Sequence, residues 1–273
     1  MLAAVLALTA ACGGGDDDGS ADGAAASLLI TAGAVTRSES PFSFVQTLRT
    51  ETADGQFLEQ RTEGIYDGEA DRAVLVVTTE GTATAVFTAD TTVQPGSTVR
   101  IVIDGQQVYL RVDVVGLDDT PWTAVTPSAD GPTAEGTISV LGSALVANVA
   151  DAEQVGDIGS ETVGGVATTR YAVTANAAEA AIYLPTETLD LLVEQGLRRD
   201  RVRARARFDY WLDDAGRIRR IRIDHTPLVE ELAGDLFEPG AEVTSLQHTF
   251  EIVQFGGVEV AVPGPDDIAD TAQ

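Results

Sequence analysis

The sequence predicts an α+β fold built on a meandering antiparallel sheet with a few helices. Two observations carry this reading. Between Pro41 and Val262 most segments alternate apolar and polar residues and are separated by short Asp-Gly, Glu-Gly and Gly-Gly turns, whereas only three stretches repeat at helical spacing. Composition agrees: Ala, Val and Thr are abundant and aromatics make up only 5% of the chain, a mixture suited to strands with small-residue packing. With 273 residues, 44% of them hydrophobic, the chain can bury a substantial core in one large domain.

From the N-terminus, residues 1–11 form an unbroken apolar run ending in small residues, and Cys12, the only cysteine, follows at once. Thr9-Ala10-Ala11-Cys12 looks like a bacterial lipobox. Small side chains fit the peptidase groove, and the Cys12 thiol accepts the lipid before cleavage. The run is too short to span a bilayer. The expectation is therefore a signal peptide over 1–11 and a chain held on the extracytoplasmic face of the cell membrane through acylated Cys12, carrying palmitate-type chains. Residues 12–26 hold no bulky apolar side chain and read as a flexible acidic tether. The fourteen residues 13–26 reach roughly 50 Å when extended. Asp18 to Gly23 imitates the start of a calcium loop, but Leu29 stands where the bidentate acid belongs, so no metal is expected there.

The expected single domain covers 27–268, with a disordered tail at 269–273. Leu28, Leu29, Ala32 and Val35 share one helical face, and Pro41 lies just beyond. Strands then follow at Phe42–Leu48, around Phe57, at Ile65-Tyr66, Ala73–Thr79 and Thr84–Thr88. In Val99–Val112 a two-residue Asp104-Gly105 turn would pair Ile101 with Val108 and Val99 with Leu110 on one face, and Arg100 with Tyr109 on the other. Ile138, Leu141, Leu145 and Val149 predict a second helix from about 138 to 150. A hairpin turns at Gly164-Gly165. Pro185 to Leu197 predicts a third helix, with Leu189 and Leu192 on one face.

The stretch 198–224 holds ten of the seventeen basic residues, all of them arginine. Arg201, Arg203, Arg205 and Arg207 alternate with Val202, Ala204, Ala206 and Phe208, so the guanidinium groups share one face of a strand. After the Asp213–Gly216 turn, Ile218 is out of phase with Ile221 and Ile223. A one-residue bulge at Arg219-Arg220 restores the phase. Tyr210 then faces Ile221, Phe208 faces Ile223, Asp209 lies beside Arg222 and Arg207 beside Asp224. Arg201, Arg203 and Arg205 fit either a patch for an anionic headgroup or part of an ionic ladder with neighbouring carboxylates. The last expected hairpin pairs His248–Phe255 with Val258–Val262 about Gly256-Gly257.

Forty-three acids against seventeen bases give a net charge of −26, which argues against a nucleic-acid partner. A single cysteine excludes disulfides and cysteine-built zinc sites, and the absence of lysine excludes Schiff-base chemistry. No Gly-x-Ser-x-Gly elbow, Walker A loop or His-Glu-x-x-His motif occurs, so neither catalysis nor a cofactor is expected.

Four segments together resemble the LppX/LprG-type actinobacterial lipoproteins of LolA-like fold. They are Ile103 to Leu110 with Pro121-Trp122; Val163 to Val173; Phe208 to Arg220; and Phe255 to Val260 with Pro263 beyond, and they span most of 28–268. The resemblance implies a strongly curved antiparallel sheet, a half-barrel, whose concave face is covered by helices around an apolar cavity. It further implies that the protein binds the acyl chains of a lipid or glycolipid, carries them through the envelope without catalysis, and hands them to an envelope transporter. Face assignment then names the candidate lining: Val99, Ile101, Val108, Leu110, Val112, Val202, Phe208 and Tyr210 from strands, and Leu145, Leu189 and Leu192 from helices. The alternative is a regulatory, protein-binding lipoprotein of the same fold.

Overall fold

The computed structural model describes residues 19–82, 96, 98–113, 120–125, 133–141, 145, 149–150, 152, 154–177, 202–236 and 243–269. Cys12, Thr84–Thr88, the expected third helix with Leu189 and Leu192, and Arg201 lie outside these residues. Helix α1 (Gly19–Ser38) begins seven residues before the expected end of the tether. Ala24-Ala25-Ala26 are strong helix formers that extend it N-terminally.

Strands β1 (Phe42–Thr52), β2 (Phe57–Asp67), β3 (Arg72–Gly81), β4 (Thr98–Asp104), β5 (Gln107–Asp113) and β6 (Thr123–Val125) form one meander. A second contains β7 (Gln154–Val163), β8 (Val166–Asn176), β9 (Arg205–Asp213) and β10 (Ile218–Asp224). Helix α2 (Thr226–Leu236) then leads into β11 (Val243–Phe255), which lies between β1 and β10. The result is one eleven-stranded antiparallel sheet in the order β6-β5-β4-β3-β2-β1-β11-β10-β9-β8-β7. It is open, with β6 and β7 at its edges.

The β9–β10 hairpin has the register read from the sequence: Tyr210 opposite Ile221, Phe208 opposite Ile223, Asp209 opposite Arg222 and Arg207 opposite Asp224, with the irregularity between Ile218 and Arg220. The β4–β5 hairpin differs. Its turn is Gly105-Gln106, and Ile101 pairs with Leu110, Val99 with Val112 and Arg100 with Arg111. Asp104 stays in the strand because it pairs with Arg72 of β3, whose Nε donates to its carboxylate at 2.6 Å. The slip is two residues, so every side chain keeps its face. The two like charges brought opposite each other both donate to Asp113, at 2.7 and 2.8 Å.

Val258–Val262 does not form the expected strand. The edge of β11 it would have used is taken by β1, in register from Phe42–Phe255 to Thr52–Val243. The chain instead runs on to the other end of the sheet, where Ala269 donates to the Trp122 carbonyl at 2.7 Å. The expected second helix starts as a 3₁₀ segment, Glu135–Leu141, with a kink at Ile138. Ile138, Leu141, Leu145 and Val149 are all buried, as their spacing predicts.

Two close approaches tie these layers together. A Cβ on Gly33 of α1 would stand 2.7 Å from both the Leu141 carbonyl oxygen and Leu145, so only glycine lets this turn of helix pack there. Thr36, fully buried, accepts the Ile218 amide at 2.8 Å and donates to the Ala32 carbonyl, which fastens the end of α1 to the start of β10. In the sheet, the Phe44 ring lies over Gly64, its cross-strand partner. A methyl group there would overlap three ring atoms. Gly64→Ala should therefore destabilise the domain by about 1–3 kcal/mol in urea unfolding, and Phe44→Leu in the same chain should recover part of the loss; an unshifted midpoint for the single variant would refute this packing.

Candidate functional site

Alternation gives the sheet two chemically different faces. On the inner face Phe42, Phe44, Ala73, Ile103, Val108, Phe208, Tyr210, Ile221, Ile223, Phe250 and Ile252 join Leu29 and Ala32 of α1 in one buried apolar cluster. Of the residues read from the sequence as lining, Val108, Leu145, Val202, Phe208 and Tyr210 are buried in this cluster, while Ile101 and Leu110 pack half-buried against it. Val99 is half-buried. Val112 is 43% exposed; among the described residues β6 pairs only with Val108–Leu110 and does not reach it. The sequence reading omitted the aromatic rank Phe42, Phe44, Tyr66 and Phe250, where Phe44 and Phe250 stack at 5.1 Å. Its signal was present: β1 and β11 show the same period of two.

The inner face also carries two histidines. His248 continues the inward phase of Leu246, Phe250 and Ile252, in register with Leu48 and Ile223. His225 follows β10 directly, and its amide donates to the Leu246 carbonyl at 2.8 Å. The rings are 0% and 3% exposed for His225 and His248, lie 6.3 Å apart and are inclined by 19°. Among the described residues none of their four nitrogens has a hydrogen-bond partner. Burial drives His225 down to about 3, with His248 adding to the shift, and His248 down to about 4.

The outer face is ionic at the β8–β11 end. Asp209, 1% exposed, accepts from Arg222 at 2.8 Å, Arg207 at 3.0 Å and Arg170 at 3.1 Å. Burial alone would raise this carboxyl, but the hydrogen bonds from Arg170, Arg222 and Arg207 outweigh it and hold it below the usual carboxylate range. Asp213 is likewise held low against burial by Arg217 and Arg219. The Trp211 indole donates to Glu161 at 2.8 Å, and Arg170, Arg220 and Arg222 sit over its ring. Arg203 and Arg205 are exposed; the Arg203 amide donates to the Glu231 carboxylate of α2, and Arg205 donates to the Arg203 carbonyl. Under β1–β3 the outer face carries the ion pairs Arg49–Glu59 and Arg61–Glu63 and, beside Arg61 and Glu63, a small apolar patch. Val45, Ile65, Val74, Val76 and Val253 line a groove of about 450 Å³, with Val253 60% exposed.

Among the described residues no cluster of three or more metal-ligating side chains occurs, and no helix is long and apolar enough to cross a membrane. The described strands thus form an open antiparallel sheet with one largely apolar face and one largely ionic face. The resemblance to LppX/LprG-type lipoproteins is borne out at the level of fold by LprF from Mycobacterium bovis, which superimposes with a TM-score of 0.53 over 89% of this chain and 97% of its own, at 14% identity. The Mycobacterium tuberculosis lipoprotein LppX aligns over 88% of this chain and all of its own, with a TM-score of 0.47 and 13% identity. No family model and no curated protein matches the sequence.

The buried histidines set the acid limit of the fold. Unfolded imidazoles titrate near 6.5, so between there and the folded values of about 3 and 4 the unfolded chain binds more protons. Their contribution is complete above about pH 6.5 and is lost as pH falls, at up to ~1.4 kcal/mol per pH unit for each ring. Asp209 and Asp213, held low, keep their contribution above about pH 3.9 and lose it only below. Urea unfolding should show stability declining from pH 6.5 to 4.5, with a shallower decline in His248→Phe; identical slopes would place the proton uptake elsewhere.

Proposed function

We propose that this protein is a non-catalytic lipid carrier anchored by acylated Cys12 to the extracytoplasmic face of the cell membrane. The acyl chains of a lipid or glycolipid lie along the inner apolar face, helices cover them, and the load passes to an envelope transporter. The observation that supports this reading is the largely apolar inner face, which runs from Val108 in β5 across the sheet to Val155 in β7. The chain's net charge of −26 repels anionic lipid surfaces, which gives the anchor its purpose: without it the domain would leave the membrane.

Organic extraction of the purified chain followed by mass spectrometry should recover a stoichiometric lipid. Ile101→Glu or Leu110→Glu should abolish its retention with the circular dichroism spectrum unchanged; full retention in both would reject the assigned face.

The valine-lined outer groove favours a second reading, a regulatory module that docks a protein partner. In that case extraction yields no lipid and Val253→Asp abolishes partner capture. We assign Arg203 and Arg205 to the ionic ladder in either reading, by analogy with Arg207 and Arg222 of the same hairpin, which serve Asp209. Arg203→Glu with Arg205→Glu should leave binding to phosphatidylglycerol vesicles unchanged, and a loss of binding would make these residues a headgroup patch.

A further inference from the structure

Helix α1 gives one side to the core and leaves the other bare. Leu29, Ala32, Gly33 and Thr36 are buried where the helix lies on β7, β10 and the 3₁₀ segment Glu135–Leu141. Ala24, Ser27, Leu28, Thr31 and Ala34 fall on the opposite side and are exposed, with Ile30 at its margin. Leu28 is 40% and Ile30 36% exposed, and among the described residues they are the only large apolar side chains that a helix exposes. The Thr31 hydroxyl on this side is already engaged, donating to the Ser27 carbonyl at 2.9 Å. From Gly23 to Thr36 the sequence holds no charged residue, in a chain that is 22% charged. A helix side facing only water ordinarily carries charge, as α2 does with exposed Glu230 and Glu231.

The point of attachment says what covers this side. An acylated Cys12 sits in the bilayer, and the chain from Cys12 to Gly19 can span at most about 25 Å. Every other described element is joined to the anchor through α1, so α1 is the part held nearest the lipid. Such a tether sets a high local concentration of bilayer, at which a contact too weak to bind alone becomes populated. It would be weak alone, because α1 lacks the basic residues that hold interfacial helices to headgroups. Its neutrality is nonetheless what suits it, since a body of net charge −26 is repelled by anionic headgroups. We infer that the exposed side of α1 is a membrane-docking surface, seated with Leu28 and Ile30 against the interfacial region of the bilayer that holds acylated Cys12. This rests on the anchored-carrier reading and adds an orientation to it. Because α1 packs on the inner face of the sheet, seating turns that face toward the bilayer and the ionic face away from it.

The test uses the full chain, acylated in a bacterial host and reconstituted in phosphatidylcholine vesicles. With Cys12 capped by its lipid, a cysteine introduced elsewhere is the only free thiol and takes a nitroxide label. Labels at Leu28→Cys and Ala24→Cys should collide about fivefold less often with a water-soluble nickel chelate, and more often with oxygen, than the same labels in a Cys12→Ser chain free in solution. A label at Glu230→Cys on α2 should show no such change. Leu28→Asp with Ile30→Asp, both at exposed positions, should return the label at Ala24→Cys to full collision while the chain stays on the vesicles and its circular dichroism spectrum is unchanged. No protection at positions 24 and 28, equal protection at position 230, or protection that survives the paired aspartates would overturn the docking surface and leave the anchor standing. An unmodified Cys12 by mass spectrometry would overturn the anchor and the docking surface with it.

Discussion

Everything in this domain depends on strand β11. Among the described residues it is the only hydrogen-bonded link between the β1–β6 meander and the β7–β10 meander, pairing with β1 on one side and β10 on the other. Its thirteen residues bring Phe255 opposite Phe42, a separation of more than two hundred positions, so the loop-closure entropy is met late and once. What offsets it is aromatic: Phe255, Phe42, Phe44 and Phe250 form a chain of ring contacts across the seam, at 5.9, 6.3 and 5.1 Å. In a chain with only 5% aromatic residues this concentration at one junction is where large apolar surface is most effectively used.

The outer face settles register on the other side of the seam. Arg170 of β8, Arg207 of β9 and Arg222 of β10 converge on the single buried carboxylate of Asp209. Each ion pair by itself adds little to stability. Three strands meeting at one charge are a different matter, because a slip of one residue would leave Asp209 buried without its partners, a loss of several kcal/mol. The arginine-rich stretch that dominates the sequence is thus spent on specifying strand order, and the remaining surface keeps the excess of acid.

Much of this was legible because a period of two leaves a strong mark. The phase change between Ile218 and Ile221 foretold the bulge, and the partners of Asp209 and Tyr210 followed from it. Pairing was less legible than facing. The β4–β5 turn slipped by two residues because Asp104 answers to Arg72 on a third strand, a tertiary contact no hairpin rule contains. Val258–Val262 has strand composition, yet β1 had already taken the edge it would have used. His248 could have been found by its phase between Leu246 and Phe250; His225 could not, since it follows the end of its strand and is brought in by the turn into α2.

The two faces differ in the charge they can hold. Apart from the bulge residue Arg219, the arginines of the described strands lie in the outward phase, where Arg170, Arg207, Arg220 and Arg222 serve carboxylates, while the inner face holds a largely apolar cluster and two imidazoles whose titration burial lowers. An anion moved onto the inner face would forfeit its hydration with no strand cation on that side to replace it. The alternation that stabilises the sheet therefore also segregates charge: it gives Asp209 its three arginines on one side and leaves the aromatic seam of Phe42, Phe44 and Phe250 free of ions on the other.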